Sequence, residues 1–195
     1  MDGVLFDSKL NMKLAWSDVE LKFKIKKNFN EYFKNIGLPF KNILKKINIK
    51  KNLDEIEKYY QKSSLKYFKK IKPYPGVLKT LKKLSKKNIA LGIFTSKHRL
   101  RTLKLLKKFD LKFQPIITPL KGIRGKPFPD QINKTLKKFK ISKKNVIYVG
   151  DMYVDYLVAK RSGVKFIYAD YGYGKKIANI SKKITSFKQI EKLIS

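Results

Sequence analysis

The stretch Val-Ile-Tyr-Val-Gly-Asp (146–151) runs hydrophobic side chains straight into a glycine and an acid, with Asp155 four residues on. A run without polar alternation predicts a strand covered on both faces, as in a parallel sheet. The pattern recurs outward from it. Ile89 to Phe94 is a second hydrophobic run, ending at Thr95-Ser96-Lys97, and Pro115–Thr118 and Phe166–Ala169 predict shorter strands. Helical spacings lie between: Val77, Leu78, Leu81 and Leu84; Leu100, Leu103, Leu106 and Phe109; Ile132, Leu136 and Phe139; Leu157 to Ser162; and a last helix over Phe187–Ile194. Strands alternating with helices predict an α/β fold, a Rossmann-like parallel sheet with helices on both faces. Ligands of such sheets bind beyond the carboxyl ends of the strands. The residues to read for chemistry are therefore Thr95, Ser96, Lys97, Gly150, Asp151 and Asp155.

From Asn11 to about Ile71 the pattern is helical only. Met12, Trp16, Val19 and Phe23, then Phe29, Phe33 and Ile36, recur at helical spacing until Gly37-Leu38-Pro39 interrupts them. Ile43, Leu44 and Ile47 predict a short third helix. Asn52-Leu-Asp-Glu55 reads as a capping box opening a fourth helix through Leu53, Ile56, Tyr60, Tyr67 and Ile71. Pro73-Tyr-Pro-Gly76 closes the stretch. Two units follow: an α/β core from residues 1–8 and 72–195, and an all-helical unit from 9–71.

A chain of 195 residues with 43% hydrophobic side chains forms a sizeable core. Its 48 Lys and Arg against 14 Asp and Glu leave a net charge of +34. Such an excess suggests nucleic acid or an anionic surface. Here it is mostly Lys, spread along the whole length among Ile and Asn, and codon bias accounts for it better than a nucleic-acid partner. The chain has no Cys and one His, His98, so disulfides, thiolate nucleophiles and His-rich zinc sites are excluded. No hydrophobic run approaches the ~20 residues of a membrane helix, and no signal peptide opens the chain. The expectation is a cytoplasmic protein without a membrane partner.

Only eight acids lie outside residues 9–71, among them Asp2, Asp7, Asp151 and Asp155. Asp151 and Asp155 at a strand exit suit Mg²⁺, which takes oxygen ligands, or equally a helix cap with a first-turn acid. Thr95 suits a phosphate oxygen or an ordinary N-cap. Lys126, in Gly125-Lys-Pro-Phe-Pro-Asp130, suits a phosphoryl charge or a solvated surface. His98 reads as a solvated residue at a helix start.

In order, Met-Asp-Gly-Val-Leu-Phe-Asp-Ser (1–8), Ile-Phe-Thr-Ser-Lys (93–97), Gly-Lys-Pro-Phe-Pro-Asp (125–130) and Val-Gly-Asp-Met-Tyr-Val-Asp (149–155) resemble the motifs of the haloacid dehalogenase superfamily, in its phosphoglycolate-phosphatase-like branch. Tyr-Pro-Gly-Val-Leu (74–78) and Ala-Lys-Arg-Ser-Gly-Val (159–164) look like the same branch. The resemblance implies a Mg²⁺-dependent phosphatase acting on a small phosphorylated metabolite through an aspartyl-phosphate, with residues 9–71 as its helical cap. By the same resemblance, Asp2 is the general acid/base and supplies a metal ligand. Thr95 and Ser96 bind the phosphoryl group. Lys126 offsets its charge, Asp151 ligates the metal and Asp155 supports it.

One departure bears on activity. The family's first motif is Asp-x-Asp-Gly, and its first Asp is the nucleophile. Here Met1 matches x and Asp2 the second Asp, so the nucleophile and the strand leading to it would precede Met1. The expectation is a chain truncated at its N-terminus with little or no phosphatase activity as written. Asp7 lies beyond the turn and does not replace the nucleophile. Two alternatives stand: a catalytically dead scaffold serving as a basic binding protein, and a phosphoglucomutase-like phosphotransferase.

Overall fold

In the computed structural model, which describes residues 1–87, 89–177 and 180–194, Met12, Ala15, Trp16 and Val19 line the buried side of α1 (Lys9–Phe23). They pack with side chains from α2 (Phe29–Phe33), α3 (Phe40–Lys46) and α4 (Leu53–Lys66) into one hydrophobic cluster. Trp16 is fully buried, stacks on Tyr32 with ring centroids 4.5 Å apart, and donates its indole N–H to the Lys27 carbonyl at 2.7 Å. A buried indole needs such a partner.

The capping box falls elsewhere than expected. Asn28 and Glu31 form one reciprocally at the start of α2. Asn52 opens α4 with φ 55° and no side-chain cap. In that left-handed conformation its side chain does not reach the next turn, so Asn-x-x-Glu spacing alone does not make a box.

β1 (Phe6–Asp7) pairs antiparallel with β2 (Lys72–Pro73), which sets the two ends of the helical stretch side by side. α5 (Val77–Leu84) then buries Val77, Leu81 and Leu84 in the core. β3 (Ile93–Phe94), followed by α6 (Arg99–Lys108), pairs in parallel with β4 (Ile116–Ile117). α7 (Asp130–Lys138) leads to β5 (Ile147–Gly150), which is followed by α8 (Tyr153–Ser162). β5 pairs in parallel with β6 (Lys165–Ala169), and β6 with β7 (Lys183–Ile184). The expected final helix is a 3₁₀ turn, Phe187–Gln189, running into a short α9 (Ile190–Leu193).

The fold is α/β with parallel pairing, but the expected single sheet is divided. Among the described residues β3–β4 and β5–β6–β7 are separate sheets. A cavity of about 510 Å³ lies between them, lined by Leu91–Phe94 from one side and Val146–Val149 from the other, with Met1, Val4 and Leu5 at its wall. The strand expected over Ile89–Phe94 is confined to Ile93–Phe94. One edge is hydrogen-bonded, with the Leu91 carbonyl accepting from Gln114 N–H and Ile93 N–H donating to the Pro115 carbonyl. The other edge faces the cavity.

Candidate active site

The exits of β3 and β5, the loop before α7 and the first residues of the chain meet at one cavity of about 90 Å³. Asp2, Thr95, Ser96, Lys126, Asp151 and Asp155 all line it, and Leu38 and Phe40 of the helical stretch close it from above. Thr95, Lys126, Asp151 and Asp155 are each buried to about nineteen parts in twenty.

Lys126 and Asp155 form a buried ion pair at 2.7 Å. The ammonium also donates to the Phe94 carbonyl at 3.3 Å and sits over the Phe94 and Tyr148 rings. Asp155 further accepts from the Tyr148 hydroxyl at 2.7 Å and from Met152 N–H at 3.2 Å. Burial alone would push the Asp155 carboxyl up, but the Lys126 charge and these hydrogen bonds hold it below the usual range. Asp155 is thus both the first-turn acid of α8 and the partner of Lys126, while the N-cap of α8 is Met152 and not Asp151.

Asp151 differs. Its carboxylate accepts Tyr173 N–H at 2.8 Å and has no ion pair among the described residues. Burial, then the Asp155 charge, push its carboxyl up to about 7. The backbone presses close around it. A Cβ on Gly3, at φ +75°, would fall 1.9 Å from Asp151 Oδ2, and one on Gly174 would fall 1.9 Å from the Asp151 carbonyl oxygen. Gly174→Ala is therefore expected to cost about 1–3 kcal/mol by overpacking. A urea midpoint equal to that of the wild type would contradict this.

Asp2 is held by two neighbours. Lys97 lies 3.1 Å from Oδ2, and the Ser8 hydroxyl donates to Oδ1. Burial would raise its carboxyl, but Lys97, the Met1 ammonium, the Ser8 bond and Arg101 together keep it lowered. Burial in turn pushes Lys97 down to about 8.

The remaining candidates divide. Thr95 faces the cavity while its Oγ1 accepts Lys97 N–H at 3.1 Å; the N-cap of α6 is His98, not Thr95. Ser96 donates its hydroxyl to the Gly37 carbonyl at 2.6 Å. That bond joins the α/β part to the helical loop at the cavity wall. His98 stands at the helix start as expected and is half-buried, lining the cavity with its Nδ1 buried and unpartnered. Among the described residues no three His, Asp or Glu side chains close on one point as a metal cage. What fits a hard cation is the uncompensated Asp151 carboxylate with the Asp2–Gly3 backbone against it.

Sequence reading passed over Arg101 and Tyr173, and noted Lys97 only as a residue following a strand, with no role. Tyr173 comes from the Gly172-Tyr-Gly174 loop after β6; its hydroxyl receives the Ser8 N–H and donates to the Phe6 carbonyl, and its ring packs on Phe33. The glycine pair after a strand was the available signal.

With these four motifs gathered around one buried cluster of cations and carboxylates, the chain belongs to the haloacid dehalogenase-like hydrolase family, whose model matches residues 1–169. It is 30% identical over 138 residues to pyrophosphatase PpaX of Halalkalibacterium halodurans, covering 70% of this chain and 64% of that protein. It is 28% identical over 182 residues to phosphoglycolate phosphatase of Aquifex aeolicus, covering 90% and 84%. The match to glyceraldehyde 3-phosphate phosphatase of Pyrococcus furiosus spans 60% of that protein, so several of these relatives are matched over less than two thirds of their length. The solved structure of a haloacid dehalogenase-like family hydrolase from Streptococcus pneumoniae superposes with a TM-score of 0.86 at 17% identity, covering 100% of this chain and 95% of that one. CbbY from Rhodobacter sphaeroides, solved with phosphate, gives 0.84 at 15% identity, covering 97% and 93%. These last two likenesses speak for the fold. Among the described residues no helix is long and apolar enough to cross a membrane.

Proposed function

We propose that the chain carries the site of a Mg²⁺-dependent phosphatase for a small phosphomonoester of the phosphoglycolate or sugar-phosphate type, with residues 9–71 as a cap over the cavity. The observation that carries this is the meeting of Thr95, Lys126, Asp151 and Asp155 from separate strand exits and loops in one buried cavity. Phosphoryl transfer needs positioning and charge neutralisation more than elaborate proton chemistry. The Thr95 hydroxyl donates to a phosphoryl oxygen. Lys126, fixed by Asp155, brings a positive charge to it. Asp2, held as a carboxylate by Lys97 and Ser8, takes a proton from the attacking water and, so protonated, gives it to the leaving oxygen of the next turnover. Asp151 and the Asp2 backbone would hold Mg²⁺, which supplies neutralisation of the phosphoryl oxygens.

The attacking carboxylate in this reading belongs to a residue placed before Met1. Its oxygen bonds to phosphorus as the ester oxygen leaves, and water then cleaves the acyl phosphate. The cavity between β3 and β5 supports the reading, because a hydrophobic strand leading into Met1 would run along it.

The test is calorimetric titration with inorganic phosphate, with and without Mg²⁺, on the wild type and Asp151→Asn. Mg²⁺ is expected to tighten phosphate binding at least about tenfold in the wild type, and to do far less in the variant. Equal affinity with and without the metal would refute the proposal.

A further inference from the structure

Among the described residues three basic side chains are buried around the cavity, and two are paired with carboxylates. Lys97 pairs with Asp2 and Lys126 with Asp155. The third, Arg101, is 7% exposed and lines the cavity from α6. Among the described residues no carboxylate pairs with it; the nearest acid it influences, Asp2, is already held by Lys97. Its guanidinium lies 5.2 Å from the centre of the Tyr60 ring, and the Tyr60 hydroxyl is bonded to that of Tyr32 at 3.0 Å. Arg101 also hydrogen-bonds the Tyr60 side chain, and a guanidinium with five N–H donors keeps others for a further partner. A buried charge without a counter-charge is costly, and a bound anion removes that cost. His98 adds a second unmatched polar atom, a buried Nδ1 on the same wall.

We propose that Arg101, beside Tyr60 and His98, is a second anion subsite, so that the preferred ligand carries a carboxylate or second phosphoryl group next to its phosphomonoester. The inference rests on the phosphate site proposed above and adds the residue that reads the rest of the ligand. A guanidinium suits it because its fork meets two oxygens of a carboxylate or phosphate at once. Arg101 stands on the α/β part beneath a ring of the helical stretch, so the ligand's second charge would sit between the two parts.

The test is binding calorimetry on the chain as it stands, with Mg²⁺, using ethyl phosphate, 2-phosphoglycolate and pyrophosphate. About 0.5 M salt screens the diffuse attraction of so basic a protein while leaving direct contacts. Wild-type chain is expected to prefer 2-phosphoglycolate or pyrophosphate over ethyl phosphate by at least about tenfold, and the arm that wins identifies the second group. Arg101→Gln is expected to reduce that preference to about twofold, and Arg101→Lys to retain an intermediate one. No preference in the wild type, or an undiminished one in a folded Arg101→Gln, overturns the subsite. If ethyl phosphate binds without preference, only the subsite fails. If no ligand binds, the phosphate site fails with it.

Discussion

A short hydrophobic strand ending in Asp, added before Met1, is expected to raise the thermal midpoint by roughly 10 °C. The expectation comes from the cavity of about 510 Å³ between β3 and β5, whose walls are the side edges of two strands. Filling apolar volume of that size stabilises by several kcal/mol even after the added residues are ordered. Ile93, Phe94 and Val149 would gain neighbours, and the two sheets would join through backbone hydrogen bonds. A second effect acts in the same direction. The Met1 amino group is buried, and burial together with the Lys126 charge lowers its pKa. A peptide bond there replaces a costly buried amine with a neutral amide. Hydrogen exchange would show new protection at Leu91–Phe94 and Val146–Val149. An unchanged midpoint and unchanged exchange would refute the strand's place.

Lys126→Met is expected to destabilise the protein by about 3–5 kcal/mol, because it strands Asp155 as a buried carboxylate without its cation. The melting temperature should fall roughly 10 °C or more. Neutralising both partners in Lys126→Met/Asp155→Asn should recover most of that loss, since the penalty lies in the unmatched charge and not in the absence of a pair. Phosphate affinity should remain lost in the double variant. A single variant as stable as the wild type would show the pair to be solvent-screened, against its burial.

Much of the framework was legible because strand exits are local in sequence. Thr95 and Asp151 follow hydrophobic runs, Asp151 as one of few acids, and Lys126 was singled out only by its Pro-bounded loop. Arg101 did not stand out, and Lys97 was given no role, for the opposite reason: among 48 basic residues, a buried cation looks like any other until its environment is known. Tyr173 was hidden by distance, since its backbone N–H meets an acid 22 residues earlier. The capping box went to the wrong Asn because Asn28 and Asn52 share the same spacing to Glu, and only backbone conformation separates them. The divided sheet was not readable from Ile89–Phe94, whose composition suits a strand whether or not both edges find partners.

The most direct test of the account is phosphate release from 2-phosphoglycolate and ethyl phosphate by a chain extended before Met1 with a hydrophobic strand ending in Asp. The matched control ends the same strand in Asn, and both are assayed with and without Mg²⁺. The account predicts Mg²⁺-dependent turnover with Asp, lower by at least about 10⁴-fold with Asn. Turnover that is equal for Asp and Asn, or absent from a folded Asp-bearing chain, would contradict it.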